Sequence, residues 1–195
     1  MKQIIGLIVI AAVMASCKRD LQACKDYKEV KAQESAVDTS ILPQAMKDTL
    51  AKYPQLRPFA IGSTAFSINM QCHIYYKDLL FFDNMYALYE NFDDIRMMLK
   101  SDGKIPKLDA GFSITPAVSY KDAIDFAKHY INFDHTCIAY ELGIYDLSPG
   151  VADGPYSSYR LAWKIMDSQK TYIYAMVDAQ NKQIIYYNSS NGFVN

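Results

Sequence analysis

The apolar and polar positions of the chain change rhythm three times. Ile4 to Met14 is an unbroken apolar run of eleven residues, with Lys2 before it and Ala15-Ser16-Cys17 after it. Residues 18–40 are densely charged and show no period, which predicts a polar tether. From Leu42 the pattern becomes helical. Ala45, Met46, Thr49, Leu50 and Tyr53 recur on one face, with Pro43 at the start and Pro54 as the stop.

Strand-like alternation follows over roughly 63–76, 83–90 and 95–100, and Asp102-Gly103 marks a turn. A second helix is predicted after Ser119, whose partner Asp122 completes a pair like a capping box. Its apolar face is Ala123, Ile124, Ala127, Tyr130 and Ile131. Strands then read 136–145, 159–166, 171–178 and 183–188, with Gly150 to Pro155 as a loop. Met85 to Glu90 lies over Ile173 to Asp178 in hydropathy and in the closing acid. These two halves predict an α+β fold: helices packed on antiparallel sheets, as two tandem helix-plus-sheet units covering 42–110 and 111–195.

Length, composition and charge narrow the class. The chain has 195 residues, 51% hydrophobic, with 20 basic against 21 acidic side chains and a net charge of -1. Disorder needs less apolar content and more net charge than this. A nucleic-acid partner would call for a basic surplus, so none is expected.

The leader points to a compartment. Eleven apolar residues are too few to span a bilayer, which takes about 20. With Lys2 ahead and small residues behind, the run reads as a secretory signal over 1–16. Met14-Ala15-Ser16-Cys17 resembles the bacterial lipobox. That resemblance implies cleavage before Cys17 and its acylation, with each buried CH₂ worth about 0.8 kcal/mol. Residues 17–41 would then be the tether. Lys18 offers no acidic retention cue, so the expected location is the cell envelope, at the outer membrane.

Three further cysteines remain: Cys24, Cys72 and Cys137. Cys72 and Cys137 sit in strand-like segments and are the preferred bridging pair. A bridge closing that 65-residue loop would stabilise the fold by about 4 kcal/mol in the chain-entropy account. Two buried free thiols are the competing reading.

From Pro116 onward the chain resembles the PepSY domain of the propeptides of thermolysin-like metallopeptidases. The residues that carry the likeness are Ser119 to Ala127, Tyr159-Arg160-Leu161-Ala162-Trp163-Lys164-Ile165, and Val177-Asp178-Ala179. Asn181-Lys182 stands where the family often has Thr-Gly; Asn181 is the residue expected to accept a positive φ there. Residues 73–103 look more faintly like the companion propeptide domain, with Asp78-Leu79-Leu80 replacing its usual step. The resemblance implies a cystatin-like shape and a non-catalytic module that holds, chaperones or inhibits a peptidase or another envelope protein.

Constellations that carry chemistry are sparse. No His-Glu-x-x-His, Gly-x-Ser-x-Gly or phosphate loop occurs, so no enzyme, metal or cofactor is expected. His73, His129 and His135 read as core or cap residues rather than zinc ligands. His135 beside Cys137 is a weak echo of a base and a nucleophile. Asp93-Asp94 reads as a solvated turn, and Asp146 with Asp153 flanks the Gly/Pro loop. Tyrosines stand out more. Tyr172, Tyr174 and Tyr186 fall in predicted strands, where amphipathic rings suit contact with a partner, a glycan or a peptide. Binding through a Tyr-rich sheet is therefore the alternative to a propeptide-like role.

Overall fold

The computed structural model describes residues 27–31, 37–91, 94–99, 105–133, 137–148 and 158–189. The leader 1–16, Cys17, Cys24, the Asp102-Gly103 turn, Asp93, His135 and the loop from Gly150 to Pro155 with Asp153 lie outside them.

The element order is β1 (Lys28–Glu29), a 3₁₀ turn (Thr39–Ile41), α1 (Gln44–Lys52), β2 (Leu56–Ser63), β3 (Ser67–Tyr76), β4 (Leu79–Asn91) and β5 (Asp94–Leu99). There follow α2 (Tyr120–Ala127), β6 (Ile138–Asp146), β7 (Tyr159–Asp167), β8 (Tyr174–Asp178) and β9 (Ile184–Asn188). All nine strands join one sheet, ordered β2-β3-β4-β6-β7-β8-β9, with β5 added to β4 and β1 added to β6. Neighbours are antiparallel except at two places. Leu80 and Phe81 of β4 pair in parallel with Gly143 and Ile144 of β6. Lys28 and Glu29 pair in parallel with Ala139 and Tyr140 of the same strand.

This corrects the expected fold class. The chain does not form two helix-plus-sheet units, each a cystatin-like helix across its own antiparallel sheet. Its described residues form one large mixed sheet carrying two short helices. The cause is visible in Leu79-Leu80-Phe81-Phe82. Four consecutive apolar residues give β4 buried side chains on both faces, and parallel pairing demands that. Strand β4 starts there, four residues earlier than the alternation from Asp83 suggested, and thereby reaches β6.

Strand β2 escaped the sequence reading because Pro58 and Gly62 interrupt it. An edge strand tolerates such residues, and the register slips between Pro58 and Ala60. Strand β1 lies within the stretch read as tether.

Both helices cover the same face. Helix α1 contributes Met46 to a core with Leu42, Leu56, Met70, Cys72, Ile74, Phe81, Leu88 and Ile144. Helix α2 buries Ala123, Ile124 and Ala127 against Leu161, Trp163, Ile165, Ala175 and Val177. Ser119 caps α2 as its spacing predicted: its Oγ accepts from Asp122 N at 3.2 Å and donates to Asp122 Oδ2 at 2.6 Å. The Trp163 indole N–H donates to Val118 O at 2.8 Å, which pins the start of α2 to β7. Among the described residues no helix is long and apolar enough to cross a membrane.

The hairpin ends carry the unusual backbone. Lys77 and Asp78 have φ of 48° and 66°, which suits a tight two-residue turn between β3 and β4. In the turn after β8 the positive φ falls on Lys182 (58°), not on Asn181 as expected.

Candidate functional site

Strand pleating sends alternate residues to the face opposite the helices. Glu141, Lys164, Met176 and Tyr186 are successive register partners across β6, β7, β8 and β9, so they form one row on that face. Tyr145 and Tyr174 share the face. Phe82 does too, since its neighbour Phe81 points to the helices.

The rings gather into a patch. Tyr145 and Tyr186 lie with centroids 6.3 Å apart and planes 21° from parallel. Tyr174 and Tyr186 are 5.8 Å apart. The Lys164 ammonium sits 4.8 Å from the Tyr174 centroid and 5.5 Å from that of Phe82, so one cation bridges two rings. Ala162 and Met176, on the same face, are fully buried, while Tyr186 remains 42% exposed. Ala162, Met176 and the buried Phe82 thus form the floor and the tyrosine rings the roof. Such a surface offers aromatic area, phenolic hydroxyls, the Lys164 cation and, in the same row, the Glu141 carboxylate.

Of the three tyrosines singled out in the sequence, Tyr174 and Tyr186 meet. Tyr172 is 55% exposed but stands in the turn before β8 rather than in a strand. Tyr145, Lys164 and Phe82 were missed. The parity of β6 and β7 would have found the first two, because Trp163 and Ile144 fix which positions face the helices.

No known protein family and no curated protein matches this chain. The likeness to propeptide domains rests on the quoted residues.

The cysteines differ from the preferred pairing. Cys72 is a free thiol buried in the α1 core, and Cys137 carries a disulfide, so the two are not bridged to each other. Cys72 faces the helix side among Met46, Met70 and Ile74, away from water. Burial pushes its thiol up to about 12. At pH 8 that leaves roughly one thiolate in ten thousand, and the thiolate is the reactive form. Iodoacetamide at pH 8 is therefore expected to leave Cys72 untouched in the folded chain and to label it fully in denaturant. Mass analysis showing a labelled Cys72 in the native protein would contradict this. The bridge also removes Cys137 as a nucleophile.

His73 stacks on Phe59 at 4.1 Å, and burial holds its imidazole below the usual histidine range. His129 Nδ1 lies 2.9 Å from Asp125 O at the end of α2, a helix-capping position. Among the described residues no group of three or more His, Cys, Asp or Glu could hold a metal ion.

A cleft of about 550 Å³ opens where β1, β4 and β6 converge. Lys31, Arg57 and Lys77 line it opposite Glu29, Asp78 and Glu141. Three cations against three anions leave no dominant field to select a charged ligand. Arg57 is further committed to Asp78 and to the Tyr75 ring, 4.2 Å from its centroid.

Proposed function

We propose that this protein is a lipid-anchored, non-catalytic binding module of the bacterial cell envelope, whose sheet face opposite the two described helices engages a secreted or envelope peptidase. One observation carries the reading: both helices cover one face of a nine-stranded sheet, and the other bears Phe82, Tyr145, Lys164, Tyr174 and Tyr186. Aromatic rings with polar tips, set on rigid strands, lose little conformational freedom on contact, which favours them as protein-binding anchors. The likeness of Ser119–Ala127, Leu161–Ile165 and Val177–Ala179 to propeptide modules points to a peptidase as the partner. The lipobox-like Met14-Ala15-Ser16-Cys17 points to anchoring through Cys17 at the outer membrane.

The test uses residues 18–195 without lipid. This form is expected to slow an envelope metallopeptidase of the same cell. Replacing Tyr174 and Tyr186 together with Ala should weaken inhibition by about a hundredfold, since a central aromatic anchor is worth roughly 2 kcal/mol or more. Thermal stability serves as the control for folding. Unchanged inhibition by the double variant would remove the face from the interface. Saccharide or peptide binding that is lost in the variant, with no peptidase affected, would favour a Tyr-rich glycan or peptide site instead.

A further inference from the structure

Cys137 is disulfide-bonded and Cys72 is free, so in a chain of four cysteines the partner of Cys137 is Cys17 or Cys24. We infer that it is Cys24. The register of β1 on β6 decides between them. Lys28 stands opposite Ala139, and the strands run parallel. Cys137 stands two residues before Ala139, and Cys24 four residues before Lys28 in the sequence. The four residues of chain from Cys24 to Lys28 span up to about 14 Å, ample to bring Cys24 within the Cα spacing of about 4.4–6.8 Å that a bridge requires. Cys17 lies eleven residues before Lys28, so its pairing would close a longer loop at a greater entropic cost.

The neighbourhood agrees. Tyr27, three residues after Cys24, is docked in the second half of the fold. Its ring meets Tyr120 edge-on at 6.5 Å, and its hydroxyl accepts from Lys128 Nζ at 3.0 Å. Val30 N donates to Tyr140 O at 2.9 Å, extending the ladder. The stretch read as tether is thus held from Tyr27 to Val30, and Cys24–Cys137 is the covalent end of that seam.

Formation of the bridge joins the two sulfurs and releases two protons and two electrons. A protein-disulfide oxidant of the envelope accepts them and becomes a dithiol. The inference builds on the anchored reading, which reserves Cys17 for lipid and leaves six residues between anchor and bridge.

The full-length chain, digested with trypsin without reductant, tests the pairing. The expected product is peptide 20–25 linked to peptide 129–160, with Cys72 unlinked in peptide 53–77. Peptide 129–160 linked to Cys17, or Cys24 recovered as a free thiol, would overturn it. A second readout uses membranes carrying the full chain, nicked after the exposed Lys31. The body should stay bound until a reductant is added, then wash off. If the linked peptides are found but the nicked body washes off without reductant, the anchor fails and the bridge stands. In a Cys24→Ser chain the Val30 amide is expected to exchange on the order of tenfold faster or more, because β1 then rests on two register pairs and the Tyr27 contacts with no covalent tie. Unchanged exchange would show that the bridge holds nothing in place.

Discussion

A Gly143→Ala chain is expected to unfold with a loss of about 3 kcal/mol, read as a fall of roughly 8 °C in Tm. A methyl group at this position would meet Phe82 Cζ at 2.5 Å and Leu80 O at 2.6 Å. The ring can turn aside, but the carbonyl belongs to the backbone of β4 and moves only if the strands separate. Those strands are joined by two register pairs, Leu80 with Gly143 and Phe81 with Ile144. Glycine is therefore required by close approach here, not by a turn. Gly111 is the matching control, since a methyl there would touch nothing within 4 Å, and Gly111→Ala should leave Tm unchanged. Trimming the ring in a Phe82→Leu/Gly143→Ala chain should recover part of the loss and no more, because Leu80 O remains. A Gly143→Ala protein as stable as the parent would mean that β4 and β6 are not spliced as described.

Replacing Asp178 by Ala should cost about 3 kcal/mol, and by Asn markedly less. The Asp178 carboxylate is buried, with its residue 4% exposed. It accepts from Gln180 N at 2.7 Å and Asn181 N at 3.2 Å, and Arg160 Nε lies 3.9 Å away. Hydrogen bonds to a charged acceptor are worth about 1.5–3 kcal/mol each. Losing the acceptor also strands two amides beside a sheet. The turn it organises receives the approach to α2: Ala117 N and Val118 N both donate to Ala179 O at 2.9 Å. Gln180 Nε2 donates to Thr115 O at 2.9 Å. Urea unfolding of the two variants against the parent is the measurement. Equal stability of Asp178→Ala and Asp178→Asn would show that the carboxylate is not the turn's keystone. Asp167 builds a similar turn one strand earlier, accepting from Gln169 N at 2.8 Å and Lys170 N at 2.9 Å.

Local periodicity reported the local elements well. The α2 cap at Ser119, the alternation of Leu161, Trp163 and Ile165, and the helical face before Pro54 all carry strong signals within a few residues. What stayed hidden depended on residues far apart. The two halves merge because Leu79 to Phe82 is apolar on both faces. That run only becomes informative once its neighbour is known to be β6. Strand β1 is two charged residues, Lys28 and Glu29, whose pairing owes nothing to burial and leaves no hydrophobic trace. The cysteine pairing failed for a related reason. Cys72 and Cys137 occupy similar sequence contexts, but Cys72 is a free thiol in the α1 core while Cys137 is bridged elsewhere. The tyrosine patch was legible in part. Tyr174 and Tyr186 were found by residue type, whereas Lys164 needed the parity of β7 to be turned outward.

Strand β1 enters the sheet beside β6, between the halves, rather than at either outer margin. Lys28 and Glu29 consequently stand at the middle of the sheet. The short β4–β6 splice and the β1 pairing thus meet on one edge of β6, so the centre of the sheet, not its β2 or β9 margin, is where the two halves and the N-terminal strand are joined.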